Sequence, residues 1–202
     1  MKKISIIAIL LALSILLFSC NEKKDGDSTA EDTTKAEETT KAPEENGVAD
    51  FQTVKISGYD FTNEGETLSV KEESEGAEQY ASSKSSVAEI DENGEILAKK
   101  KGVTLIAYEK DGQWSAYVLC VLGEGEHRDR SAGTPTLVEK GESHTMTATV
   151  AAEEYFSSDE GVADCTNAPK ITFGECGYAV ITVTNVSRPF FYSFIVYDRS
   201  EG

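Results

Sequence analysis

Basic residues are scarce in this chain of 202 residues: 19 Lys and Arg stand against 36 Asp and Glu, which gives a formal net charge of −17. After Lys2 and Lys3, the sequence contains no stretch able to form an extended basic face. Proteins bind a phosphate backbone through clustered lysines and arginines. The composition therefore excludes nucleic acid as a partner.

Residues suited to catalysis or metal binding are also few. The chain has two His and four Cys, and it contains neither a Gly-x-Ser-x-Gly motif nor a phosphate loop that ends in Gly-Lys-Ser/Thr. His127 lies in a polar stretch and His144 at a strand position, and neither has a neighbour at metal-ligand spacing. We therefore predict no catalytic residue, no metal site and no cofactor.

The N-terminus predicts export and a lipid anchor. An apolar run over residues 4–18 follows Lys2 and Lys3, and it is shorter than the roughly 20 residues of a membrane-spanning helix, which predicts a signal peptide over residues 1–19. The sequence from Leu17 to Cys20 resembles the lipobox of bacterial lipoproteins. The resemblance implies diacylglycerol and an acyl chain such as palmitate on Cys20, which together hold a protein on the outer face of the membrane.

Residues 20–50 form an acidic segment rich in Thr, Glu and Lys, with no aromatic residue and one branched aliphatic residue, Val48. Such a segment buries too little apolar surface to offset the entropy lost on ordering. This composition predicts a disordered linker. As a flexible coil, the linker would hold the next domain roughly 30 Å from the membrane.

From residue 51 onward, short alternating apolar runs are separated by turn residues, and no stretch keeps a helical period. Five runs in the first half predict strands, and Asn93-Gly94 predicts a hairpin between two of them. The runs lie at residues 68–70, 87–90, 96–98, 103–108 and 117–122. An all-β chain of this kind forms antiparallel sandwiches or barrels.

The same unit occurs twice. A shift of 75 residues aligns residues 80–108 with 155–183 without a gap, and eight of the 29 pairs are identical, where chance gives about two. A shift of 76 aligns Gly65-Glu66 with Gly141-Glu142 upstream. We therefore predict one domain over residues 51–123, a linker over 124–130 and a second domain over 131–202.

The first unit also carries a family resemblance. Its motifs are, in order, Gly65-Glu-Thr-Leu68, Ser82-Ser83, Val87 to Ala98, and Gly102 to Ala107. This order is similar to that of bacterial Ig-like domains of group 2, which are found in adhesins related to invasin and intimin. The second unit matches less well and depends mainly on the repeat. The resemblance implies two tandem Ig-like β-sandwiches.

Two functions are open as expectations, and the resemblance implies the first of them. The first is a surface-exposed lipoprotein that acts in cell-surface binding or adhesion, with a protein or glycan ligand. The alternative is a structural spacer or an envelope-assembly component without a ligand of its own.

The C-terminal strand has apolar residues on both faces. Phe194 and Val196 align with core positions of the first repeat, whereas three other side chains fall on the opposite face: Phe191, Ile195 and Tyr197. Only one face of a sheet points into a two-sheet sandwich. Two interpretations stay open, namely a partner-binding patch and cover by another part of the protein.

Three cysteines lie in the repeats. The alignment predicts Cys120 and Cys165 as small buried side chains and Cys176 as an exposed turn residue. Export would permit a disulfide between Cys165 and Cys176, but the intervening hairpin favours a Cα separation beyond the roughly 7 Å limit.

Overall fold

A computed structural model describes residues 49–147, 154–186 and 188–200. The predicted signal peptide over 1–19, Cys20 and the predicted linker up to residue 48 lie outside the described residues. Within the described ranges, no helix has the length and apolar character to cross a membrane.

Regular structure in these ranges is β-strand, apart from two 3₁₀ turns at Glu72–Ser74 and Arg130–Ala132. The first repeat forms β1 (Lys55–Asn63), β2 (Thr67–Ser69), β3 (Gln79–Ser82), β4 (Ala88–Ile90), β5 (Glu95–Ala98), β6 (Gly102–Lys110) and β7 (Gln113–Leu122). The second repeat forms β8 (Thr136–Glu139), β9 (Ser143–Thr145), β10 (Glu154–Ser157), β11 (Ala163–Asp164), β12 (Lys170–Phe173), β13 (Gly177–Thr184) and β14 (Phe190–Tyr197).

The first repeat folds into two stacked sheets. One has the order β1-β7-β6-β3 and the other β2-β5-β4, and β1 is parallel to β7 whereas the other neighbours are antiparallel. Because side chains alternate along a strand, Tyr117, Leu119 and Val121 of β7 point between the sheets, where they share a core with Ile96 and Ala98 of β5. This arrangement is an Ig-like β-sandwich.

The second repeat has the same strand order and pairing. Its sheets are β10-β13-β14-β8 and β11-β12-β9, and β8 is parallel to β14. Strands β3 to β6 recur as β10 to β13 at a shift of 75 residues. The predicted repeat and the all-β, Ig-like fold are confirmed. The division into domains over residues 51–123 and 131–202 stays a prediction.

A turn that recurs in both repeats explains the upstream identity. Gly65 and Gly141 have φ angles of 85° and 89°, a left-handed conformation that glycine adopts without steric cost. Their N–H groups donate to the carbonyl oxygens of Ala98 and Phe173, each at 2.8 Å. The glycine in each repeat therefore meets a backbone requirement.

The two sandwiches pack face to face. Val118 and Cys120 on the outer face of β7 lie in one buried cluster with Ile195 of β14. The ring of Phe61 on β1 meets the ring of Tyr178 on β13 edge to face, with centroids 5.3 Å apart. Both sandwiches fall within one compact unit. We call this buried cluster the shared face.

The segment that precedes β1, residues 49–54, also belongs to the shared face, and we call it the strap. Three of its side chains are buried there: Ala49, Phe51 and Val54. The carbonyl oxygen of Asp50 accepts the N–H of Val54 at 3.0 Å, which closes a local turn. Ala49 and Asp50 therefore belong to the folded unit, and the predicted linker end at residue 50 is corrected. Composition alone does not reveal that a neighbouring cluster buries Ala49.

Candidate functional site

A groove of about 610 Å³ opens between the two sandwiches, and we call it the interdomain groove. Residues at the start of β6 and in the linker form one wall, among them Lys101 and Glu126. The other wall comes from the second sandwich and includes Phe156, Asp159 and Glu175.

An ion pair fixes the linker wall. Lys101 Nζ lies 2.7 Å from Glu126 Oε1, and Glu126 Oε2 accepts the backbone N–H of Gly123 at 3.0 Å. The hydrogen bond with Lys101 lowers the pKa of Glu126, and the same contact raises the pKa of Lys101. Both groups are therefore charged at neutral pH.

The second wall is acidic. A Cβ built on Gly161 would lie 3.3 Å from Glu175 Oε2 and 3.4 Å from Asp159 Oδ1, so two carboxylates flank this glycine. Asp159 Oδ1 also accepts the backbone N–H groups of Gly161 at 3.1 Å and of Val162 at 3.3 Å. Among the described residues, no group of three or more His, Cys, Asp or Glu is arranged to hold a metal ion. The negative charge of this wall disfavours an acidic partner surface and favours one that is neutral or basic.

Two exposed phenylalanines stand on the outer face of the second sandwich. Phe156 of β10 and Phe191 of β14 both pair with Thr182, on the strand between them. Their exposed fractions are 52% and 38%. Neighbouring strands lie about 4.8 Å apart, so the two backbone positions are about 10 Å apart. We call Phe156, Thr182 and Phe191 the Phe row.

The first repeat carries alanines at the positions of the Phe row. Ala81, Ala107 and Ala116 pair with one another across β3, β6 and β7, and they lie in or against the shared face. Phe156 was not predicted as a site residue. The signal that identifies it is an aromatic residue that replaces Ala81 on the outer face of the repeat.

The predicted patch of Phe191, Ile195 and Tyr197 is corrected. Ile195 has an exposed fraction of 0%, and Tyr197 is half-buried against the shared face. Alternation correctly separated these side chains from the core residues Phe194 and Val196. The first sandwich covers Ile195, so only Phe191 of the three remains exposed.

The described cysteines, Cys120, Cys165 and Cys176, are free thiols. Cys120 has an exposed fraction of 1%, as predicted, and burial raises the pKa of its thiol to about 12. Cys165 is half-buried, which corrects its prediction as a buried side chain. The predicted exposure of Cys176 is wrong, because this side chain is half-buried against the shared face. Burial raises the pKa of both half-buried thiols, an environment opposite to the one that activates a cysteine nucleophile.

The two histidines occupy unrelated places. His144 is a β9 residue that pairs with Ile171, which confirms its prediction as a strand side chain. His127 is an exposed linker residue at the interdomain groove.

No protein-family model matches the chain, and no curated protein matches it. Among solved structures, domains 4 and 5 of the S-layer protein SbsC are 12% identical, with a TM-score of 0.25 and coverage of 61% of this chain and 72% of that chain. The match spans 20% of the chain in a longer structure of the same S-layer protein.

Two further solved structures illustrate the range of these matches. The insect immune protein hemolin is 16% identical, with a TM-score of 0.23 and coverage of 53% of this chain and 32% of that chain. A three-domain titin structure is 8% identical, with a TM-score of 0.23 and coverage of 72% and 64%.

Proposed function

We propose that the protein is a lipoprotein of the bacterial cell surface, anchored through Cys20, whose paired Ig-like sandwiches bind a protein partner at the Phe row and the adjoining interdomain groove. The Phe row is the observation that carries the binding role. The resemblance of the first repeat to bacterial Ig-like domains of group 2 supports the same class of function.

The energetics of aromatic side chains support this assignment. An exposed phenylalanine keeps apolar surface in water, and neither sandwich core contains Phe156 or Phe191. Aromatic side chains are favoured at protein interfaces because they bury a large area with few rotatable bonds. Phe156 and Thr182 also line the interdomain groove, so a partner seated on the row would extend into the groove and meet the acidic wall. We infer a partner surface that is neutral or basic.

The binding role predicts a specific loss in the full-length protein with Phe156→Ser and Phe191→Ser. Binding to intact target cells should weaken by about tenfold or more, the usual effect of removing an interface hot spot, while the melting temperature stays close to that of the wild type. The control is Val186→Ser, since Val186 is 91% exposed and lies outside the row.

The outcomes of this experiment distinguish the possible roles. Equal binding by the double variant and the wild type would remove the Phe row as the site. Loss of binding after protease treatment of the cells supports a protein partner, whereas binding that survives indicates a glycan. If the wild-type protein binds no tested cell, the result favours the spacer alternative. The burial of Ile195 against the first sandwich supports that alternative, because this side chain then serves contact between the sandwiches and not contact with a partner.

The lipid anchor predicts a second outcome. Cys20→Ala should abolish incorporation of a fatty-acid probe and shift the protein from the membrane fraction to the soluble fraction, because the acylated residue is removed. Cys176→Ala serves as the control and should be labelled normally. Equal labelling of Cys20→Ala and wild type contradicts the anchor.

A further inference from the structure

The linker and the strap leave the first sandwich from opposite ends. In the parallel pair of β1 and β7, Lys55 lies beside Ser115 at one end and Asn63 beside Leu122 at the other. The linker follows Leu122, whereas the strap precedes Lys55. A strand of nine residues is about 26 Å long, so the strap and the linker are well separated along the shared face.

Two hydrogen bonds from side-chain hydroxyls to backbone carbonyl oxygens hold the linker end. The Tyr178 hydroxyl donates to the carbonyl oxygen of Asp129 at 3.3 Å, and the Ser193 hydroxyl donates to that of Ala132 at 3.2 Å. This end is also the covalent connection between the sandwiches.

One arginine holds the strap end. Arg199, just after β14, donates through Nη1 to the carbonyl oxygens of Phe51 at 3.1 Å, Gln52 at 3.4 Å and Val54 at 2.9 Å. The side chain of Gln52 donates back to the carbonyl oxygen of Arg199 at 3.0 Å. Arg199 Nε lies 3.4 Å from the carboxylate of Glu139 on β8, which orients the guanidinium. The second sandwich therefore binds, through these hydrogen bonds, the segment that leads into the first sandwich.

We propose that the strap is a latch: its docking closes the shared face at the end opposite the linker, and its release lets the two sandwiches separate while each keeps its fold. Each core lies within a single repeat, and neither contains a residue of the shared face. Separation therefore breaks shared-face contacts and leaves both cores intact.

The position of the latch gives it a role that rests on the lipid anchor proposed above and does not rest on the binding role. The predicted linker from Cys20 joins the strap directly at residue 49. A load on that segment therefore acts on Arg199 and the strap before it acts on either core.

Cys120 and Cys165 provide a built-in test of the latch. Cys120 lies in the shared face, whereas Cys165 packs against the core of the second sandwich. In full-length Arg199→Ala, alkylation of Cys120 by iodoacetamide should accelerate about tenfold or more, because the rate follows the population of the open form. The rate at Cys165 should stay unchanged. Arg188→Ala, at an exposed arginine of the same sandwich, is the control and should leave both rates unchanged.

The outcomes separate a latch from a general stabilising contact. An unchanged rate at Cys120 overturns the proposal, because the open form is then no more populated than in the wild type. Peptide-resolved hydrogen exchange gives a second measurement on the same variant. The hairpin of β4 and β5 should keep its protection, since its core is enclosed within the first sandwich, and loss of that protection also overturns the latch.

Discussion

Residues 49–123 expressed without the second sandwich should form aggregates and fail to give a stable monomer. The outer face of this sandwich is as apolar as its core, with Leu105 and Val118 paired directly across β6 and β7 and both fully buried. Exposure of such a side chain costs about 1.5–3 kcal/mol, and several are uncovered together. A large exposed apolar patch also promotes self-association. Size-exclusion chromatography with light scattering measures the outcome.

A paired substitution provides the control for this experiment. Leu105→Lys with Val118→Glu places opposite charges at directly paired positions on the outer face, where cross-strand ion pairs are favourable. The change should convert the fragment into a soluble monomer with a cooperative melt. In the full-length protein the same change should lower the free energy of unfolding, because it buries two charges in the shared face. A wild-type fragment that is already a stable monomer would show that the first sandwich does not need this cover.

The sequence predicts most of each sandwich because its signals are local. Alternation along β7 separates Tyr117 and Leu119, in the core, from Val118 and Cys120 on the outer face. The repeat transfers the strand assignments from the first sandwich to the second, where the hairpin turn Asn167-Ala-Pro169 gives a weaker signal than Asn93-Gly94.

The arrangement of the sandwiches could not be predicted in the same way. Alternation indicates that Ile195 faces away from its own core, but it does not indicate which surface covers it. The strap is hard to recognise for a related reason. Ala49 belongs by composition to the linker, and it is buried in a cluster that includes Ile195, about 150 residues away. Phe156 becomes apparent as a site residue only by comparison with Ala81 on the equivalent strand.

Ile195→Asp should be among the most destabilising single substitutions in the second sandwich. The side chain is fully buried in the shared face between apolar neighbours. The substitution removes a buried aliphatic side chain and places a carboxylate in an apolar site, and the combined loss of unfolding free energy is about 3–5 kcal/mol. Urea denaturation followed by circular dichroism measures the change.

Phe191→Asp is the matched control for this prediction, since Phe191 lies on the same strand and the same face, four residues earlier. Its side chain is 38% exposed, so the new carboxylate keeps contact with water and the loss of unfolding free energy should stay below about 1 kcal/mol. A similar loss for both variants would mean that the first sandwich does not cover Ile195. A large loss of unfolding free energy for Ile195→Asp alone, together with faster alkylation of Cys120, assigns that loss to the shared face. The reason is that Cys120 lies on the first sandwich and residue 195 on the second.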